Sequence, residues 1–213
     1  MNPENKQQKI MDQFKCPIGI EGQTVAKIMN RSHRALTDWG LKKVKIRSDY
    51  LILDIGCGGG KTISKLAEQA VHGKVFGIDY SGDMVDYSRQ INKELIDQNR
   101  VSIVQCSVDK TGFPDSFFDL ITAIETYYFW PNLAEAFEEI KRLLKPNGKL
   151  VLINEMIKDG VYEVENAEVI AKTEVKLLSL PDIQKILQST GFKKVEVFTK
   201  ADSAWNVVIA QKC

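Results

Sequence analysis

The chain has 213 residues, is 44% hydrophobic and 27% charged, and balances 29 Lys and Arg against 28 Asp and Glu for a formal net charge of +1. That length holds one large domain, or one domain with a small cap, and an even charge without a basic stripe excludes an electrostatic nucleic-acid surface. No apolar run approaches the roughly 20 residues of a membrane span, and the opening "MNPENKQQKI" lacks the apolar stretch of a secretory signal.

In chain order, "GQTVAKIMNRSHRALTDWGL" spaces Val25, Ile28, Met29, Leu36 and Trp39 as one face of a helix. Strands and helices then alternate. "YLILDI" reads as a buried strand, "GKTISKLAEQA" as a helix and "KVFGID" as a second strand. "SGDMVDYSRQINKELIDQN" is a helix capped by Ser81, followed by the strands "VSIVQC" and "FFDLITAIE". "PNLAEAFEEIKRLLK" starts at a proline and stops at Pro146-Asn147-Gly148, and "KLVLINE" is the fifth strand. "SLPDIQKILQSTGF" predicts a last helix ending at Gly191, then the strands "KKVEVFT" and "WNVVIAQ". The alternation predicts an α/β fold, doubly wound on a mostly parallel seven-stranded sheet. Only "KADSA" separates the last two strands. Parallel neighbours need a crossover of a dozen or more residues, so this pair must form an antiparallel hairpin if it pairs.

Cys16, Cys57, Cys106 and Cys213 stand singly without Cys-x-x-Cys spacing, and read as reduced thiols of a cytoplasmic protein. His33 and His72 are too far apart to suggest a local metal motif, so no metal site is expected.

The informative stretch is "LILDIGCGGGKT", Leu51 to Thr62. A phosphate-binding loop of pattern G-x-x-x-x-G-K-[ST] would need glycine where Ile55 stands. A dinucleotide turn, G-x-G-x-x-G, would need its third glycine later than Gly60. Asp79 ends the second strand, where a ribose carboxylate belongs, whereas Asp54 would set a negative charge beside a diphosphate. Asp54 suits a ligand carrying positive charge.

"LDIGCGGG", "GIDYS" and "LLKPNGKLVL" together closely resemble the class I S-adenosylmethionine-dependent methyltransferases, particularly the small-molecule group that includes quinone methyltransferases. The resemblance spans roughly residues 50–155, with a similar terminal hairpin. It implies S-adenosylmethionine as cofactor and S-adenosylhomocysteine as product. Asp54 and the turn of Gly56, Cys57, Gly58 and Gly60 would hold the methionine end, and Asp79 would accept both ribose hydroxyls. Tyr80 would lie against adenine, Ser107 and the Val108 N–H would meet its edge, and Glu125 would border the transferable methyl. In the turn itself, Cys57 reads as a small filler with no base paired to it, and Lys61 and Thr62 as the start of a helix.

"ETYYFWPN", Glu125 to Asn132, follows a strand end where α/β proteins bind ligands. Tyr127 and Tyr128 are candidates to line an acceptor pocket and to steady a sulfonium by cation–π attraction. Phe129 and Trp130 read as core packing. Lone histidines are mostly structural, but His33 would suit proton removal if its helix covers the site. Glu155 faces either the pocket or solvent. Glu125, Tyr127 and His33 are thus the candidate catalytic residues. We expect residues 1–49 to form a helical cap and residues 50–213 the cofactor-binding domain, with a lid over 156–178. Deleting residues 1–30 should then damage acceptor turnover more than donor affinity. The expected partner is a small-molecule methyl acceptor, with no nucleic acid or membrane, for a monomer or homodimer. The alternative is a non-catalytic binder of the same nucleoside, with its acceptor mouth blocked by side chains.

Overall fold

The computed structural model describes residues 13, 18–162, 167, 170 and 175–213. Seven strands form one sheet: β1 (Leu51–Ile55), β2 (Lys74–Asp79), β3 (Val101–Gln105), β4 (Phe118–Ile124), β5 (Leu144–Asn154), β6 (Lys193–Thr199) and β7 (Asn206–Gln211). Their order is β3-β2-β1-β4-β5-β7-β6. The pairs from β3 through β5 are parallel, while β7 runs antiparallel to both β5 and β6. The hairpin inferred from a short connection is therefore present. Strand order reverses between β1 and β4, so the crevice outside their carboxyl ends is where this architecture accepts ligands.

Alternation along the strands builds a core on each face. Leu53 and Ile55 of β1, Leu150 and Leu152 of β5, and Val208 and Ala210 of β7 face one apolar layer. Ile52, Val151, Ile153, Val207 and Ile209 face the other. Helices α6 (Leu133–Leu143) and α7 (Leu180–Ser189) cover the first layer with Phe137, Ile140, Ile183 and Leu187. Helices α2 (Arg34–Leu41), α3 (Lys61–Gln69) and α4 (Gly82–Ile91) cover the second with Leu36, Ile63, Leu66 and Val85. At about 1.5–3 kcal/mol for each fully buried large side chain, these two layers hold the strand tips in register.

Two helices read as continuous are broken, both at residues with a second task. The first splits into α1 (Gly19–Ser32) and α2 at His33, which sits at the end of one and the start of the other. The second splits into α4 and α5 (Lys93–Asp97) at Asn92. Asn92 is buried, donates its amide to the carbonyls of Gly60 (3.0 Å) and Ser88 (2.9 Å), and accepts from the Ser64 hydroxyl (2.8 Å). Its side chain ties α4 to the glycine turn. Helix α6 stops at Leu143, ahead of the expected Pro-Asn-Gly stop, because Leu144 is already extended and pairs with Phe118.

Gly60 precedes α3 at φ +76°, where a side chain is strained. A Cβ there would lie 2.3 Å from the Ser88 hydroxyl and 2.6 Å from the Asn92 amide. Gly60→Ala should therefore destabilise the protein by about 1–3 kcal/mol, read as a lowered midpoint in denaturant titration; an unchanged midpoint would mean the turn rearranges freely.

The described residues contain no helix long and apolar enough to cross a membrane. Residues 163–166, 168–169 and 171–174 of the expected lid, and 1–12 and 14–17 of the expected cap, lie outside the described residues.

Candidate active site

The carboxyl ends of β1, β2 and β4 open into a cavity of about 660 Å³ that α1 also lines. Asp54 is buried there, and its Oδ1 accepts a 2.6 Å hydrogen bond from the Thr122 hydroxyl on β4. Burial pushes the Asp54 carboxyl up to about 7; the Thr122 bond opposes the rise and the charge of Asp79 adds to it. Among the described residues, no cation pairs with this carboxylate. Thr122 carries no local signature, because its role depends on the β1–β4 register that sets Asp54 opposite it.

The turn after β1 is shaped before any ligand arrives. Gly56 has φ +69°, and the N–H groups of Gly56 and Cys57 both donate to the Ile78 carbonyl, at 2.8 and 2.9 Å. Asp79, at the tip of β2, accepts from the Gly58 N–H at Oδ2 and the Ser81 N–H at Oδ1, both at 2.9 Å. Each oxygen keeps acceptor capacity, so the pair can still take two hydroxyl donors. Burial raises the Asp79 pKa, while backbone N–H groups of Ser81, Gly58 and Tyr80 pull it down. Ser81 caps α4 as expected, accepting from the Met84 N–H.

Asp54, Gly56, Cys57, Gly58, Asp79, Tyr80, Ser107, Val108, Glu125 and His33 all border the cavity. Gly60 does not; it supports the turn from behind, against Ser88 and Asn92. Tyr80 is about half exposed, at the lip. Burial, with Asp79 and Asp54 beside it, raises the Cys57 thiol pKa, which leaves it no nucleophile.

The aromatic patch divides differently from the expectation. Tyr128, Phe129 and Trp130 line the cavity, and Phe129 and Trp130 also pack into the core as expected. Tyr127 does not line it: it is sunk in the core, and its hydroxyl accepts from the Leu178 N–H at 3.4 Å. A 3-10 turn over Tyr127–Phe129 causes the exchange. Neighbours on so tight a turn point in different directions, and sequence alone does not say which one faces in.

Glu125 is a non-glycine residue at φ +58°, a strained setting held by its N–H bond to the Ile153 carbonyl at 3.0 Å. Its buried carboxylate accepts from the Tyr128 hydroxyl and from the Glu155 N–H, each at 2.5 Å. Burial first, then the charge of Glu155, raise its pKa well above the usual carboxylate range, with His33 opposing. The Glu155 carboxylate lies 3.2 Å from His33 Nε2. Burial lowers the His33 pKa, but the Glu155 bond and the charges of Glu125 and Glu155 outweigh it, and the net shift is upward. One ligand atom from each of the three residues lies within 4.8 Å of the others, yet the groups already satisfy one another by hydrogen bonding. His33 and Glu125 are thus brought together across more than ninety residues of sequence, and Glu155 pairs with His33 without itself lining the cavity.

Asn30, which the sequence did not single out, donates its amide to the Gly59 carbonyl at 3.3 Å. The Gly19 N–H also donates to Asp83 of α4 at 2.7 Å. Helix α1 is therefore tied to the glycine turn and to α4 as well as to the His33 end of the cavity.

A family described as "Methyltransferase domain" matches residues 53–152, which hold the turn, both aspartates and Glu125. This match supports a class I S-adenosylmethionine-dependent methyltransferase, as the sequence resemblance implies. The chain is 28% identical to sterol 4-C-methyltransferase strm-1 of Caenorhabditis elegans over 71% of this chain and 43% of that one. It is 26% identical to demethylmenaquinone methyltransferase of Lactobacillus johnsonii over 75% of this chain and 74% of that one. The chain thus spans less than half the length of the first methyltransferase and about three quarters of the second. A methyltransferase solved with the Trm112 activator of Haloferax volcanii shares the fold at TM-score 0.77 and 19% identity, over 89% of this chain and 94% of that one.

Proposed function

We propose that this methyltransferase binds S-adenosylmethionine along the β1 turn and transfers its methyl group to a small-molecule acceptor held at the Glu125 end of the cavity. The observation that carries this reading is the pair of buried carboxylates, Asp54 and Asp79, on adjacent parallel strand tips around a glycine turn. Asp79 would take the ribose hydroxyls and Asp54 the donor's cationic amino acid end. Tyr80 and the Ser107-Val108 turn would border adenine, and Glu125 would border the methyl. A sulfonium methyl is already activated, so the chain's main task is alignment, a contribution of up to ~7–11 kcal/mol in favourable cases.

The cavity volume falls within the roughly 300–1,000 Å³ of small-molecule sites, and it continues past the turn to Tyr128 and His33. That space supports catalysis over the alternative of a binder with a blocked acceptor mouth. Calorimetry should give saturable binding of S-adenosylmethionine and S-adenosylhomocysteine and none of NAD, and a metabolite panel with labelled donor should yield a methylated product. Binding of NAD in preference would overturn the donor assignment. Donor binding with no methylated product from a broad panel would favour the binder.

A further inference from the structure

We infer that His33 and Glu155 form an acid–base dyad that takes a proton from the methyl acceptor, and that the acceptor's nucleophile is a weakly acidic hydroxyl, phenolic or enolic, on a planar ring. This rests on the proposed donor site and deepens it. His33 stands at the break between α1 and α2, so its ring leaves the cap and reaches into the cavity. Glu155 holds Nε2 at 3.2 Å, which fixes the ring and leaves Nδ1 to receive a proton. The dyad lies beside Glu125, at the methyl end of the donor site. Glu155, with a side chain 36% exposed, provides the way out to solvent.

Charge selects among acceptors. The groups facing His33 are Glu155 from beyond β5 and Glu125 from beyond β4, the latter bonded to the Tyr128 hydroxyl. Arg34, next in the chain, lies 3.9 Å from Asp38 on its own helix. Both carboxylates are occupied, Glu155 by His33 and Glu125 by Tyr128 and a backbone N–H. A cationic acceptor would also meet the sulfonium head-on. A hydroxyl that loses its proton becomes an anion drawn toward the sulfonium. In a site of low dielectric that attraction is strong, and both charges vanish as the methyl moves. The rings of Tyr128, Phe129 and Trp130 supply walls for a flat acceptor.

The step balances within the two substrates and the dyad. The acceptor O–H proton passes to His33 while an oxygen lone pair forms the O–CH3 bond. The S–CH3 bond breaks with its electron pair staying on sulfur, which turns the sulfonium into a thioether.

The test uses the full chain with two probes of similar size, 2-naphthol, which carries a hydroxyl, and quinoline, whose ring nitrogen has no proton to lose. Methyl transfer from labelled S-adenosylmethionine is measured across pH. Wild type should methylate 2-naphthol in preference, with a rate that falls on the acid side. His33→Gln should lose about 10²–10⁴-fold together with that acid limb. Glu155→Gln should lose less and move the limb to lower pH, because the imidazolium loses its carboxylate. Both variants should bind S-adenosylhomocysteine within threefold of wild type by calorimetry. Equal or better methylation of quinoline, an acid limb unmoved by Glu155→Gln, or activity abolished by chelator and restored by a divalent cation would each overturn the dyad. So would a protein that binds S-adenosylhomocysteine but methylates no hydroxyl probe. A protein that fails to bind S-adenosylhomocysteine at all refutes the donor assignment instead.

Discussion

Asp79→Ala should lower the affinity for S-adenosylhomocysteine by about 10- to 150-fold, the equivalent of ~1.5–3 kcal/mol for hydrogen bonds to a charged group. Two losses combine. The ribose hydroxyls lose their acceptor, and the N–H groups of Gly58 and Ser81 lose the oxygens that now orient them. Asp79→Asn separates the two effects, since an amide keeps one acceptor oxygen but puts a donor where the other oxygen stood. It should fall between alanine and wild type in calorimetry. Alanine and wild type binding alike would remove Asp79 from the donor site.

The second large effect is a dependence of stability on pH in the protein without donor. Asp54 titrates near 7 in the folded chain against 3.8 for the free side chain. Between those values the unfolded chain releases a proton that the folded chain retains, so stability should fall as pH rises from about 4 to about 7 and level off above. At ~1.4 kcal/mol per unit, the fall attributable to Asp54 is roughly 4 kcal/mol at most. The raised carboxyls of Glu125 and Asp79 act in the same sense. Asp54→Asn, which cannot ionise, should flatten much of the slope in denaturant titrations at pH 5 and pH 8. The same group links donor binding to protons. The cationic end of the donor should ionise Asp54, so wild-type affinity should rise from pH 5.5 to 7.5 with release of a proton, visible as a buffer-dependent heat. An equal slope in wild type and Asp54→Asn would locate the titration elsewhere.

What the sequence made legible follows the range of the interactions involved. The succession of strands and helices and the antiparallel closing pair could be read because they depend on local alternation and connection length. The glycine turn and its two carboxylates could be placed for the same reason: Asp54, the glycines and Asp79 lie within 26 residues of one another, on two strands whose pairing the alternation implies. The far end of the cavity was legible only in part. His33, Glu125 and Glu155 sit on three separate segments, and nothing local distinguishes a histidine at a helix break from one on an exposed face. Tyr127 turns into the core while Tyr128 lines the cavity for the same kind of reason, a turn type that a run of four aromatics does not encode. Thr122, Asn30 and Asn92 gave no signal, since each matters only through a partner distant in the chain.

Asn92 carries a consequence for kinetics. By bonding Gly60, Ser88 and Ser64 at once, its side chain fixes the glycine bend. Little ordering of the loop should therefore remain for the encounter, and arrival of the nucleoside should be governed by how readily Asn30 and the first helix swing aside. Loosening that hinge would speed both entry and escape while leaving the cradle itself intact.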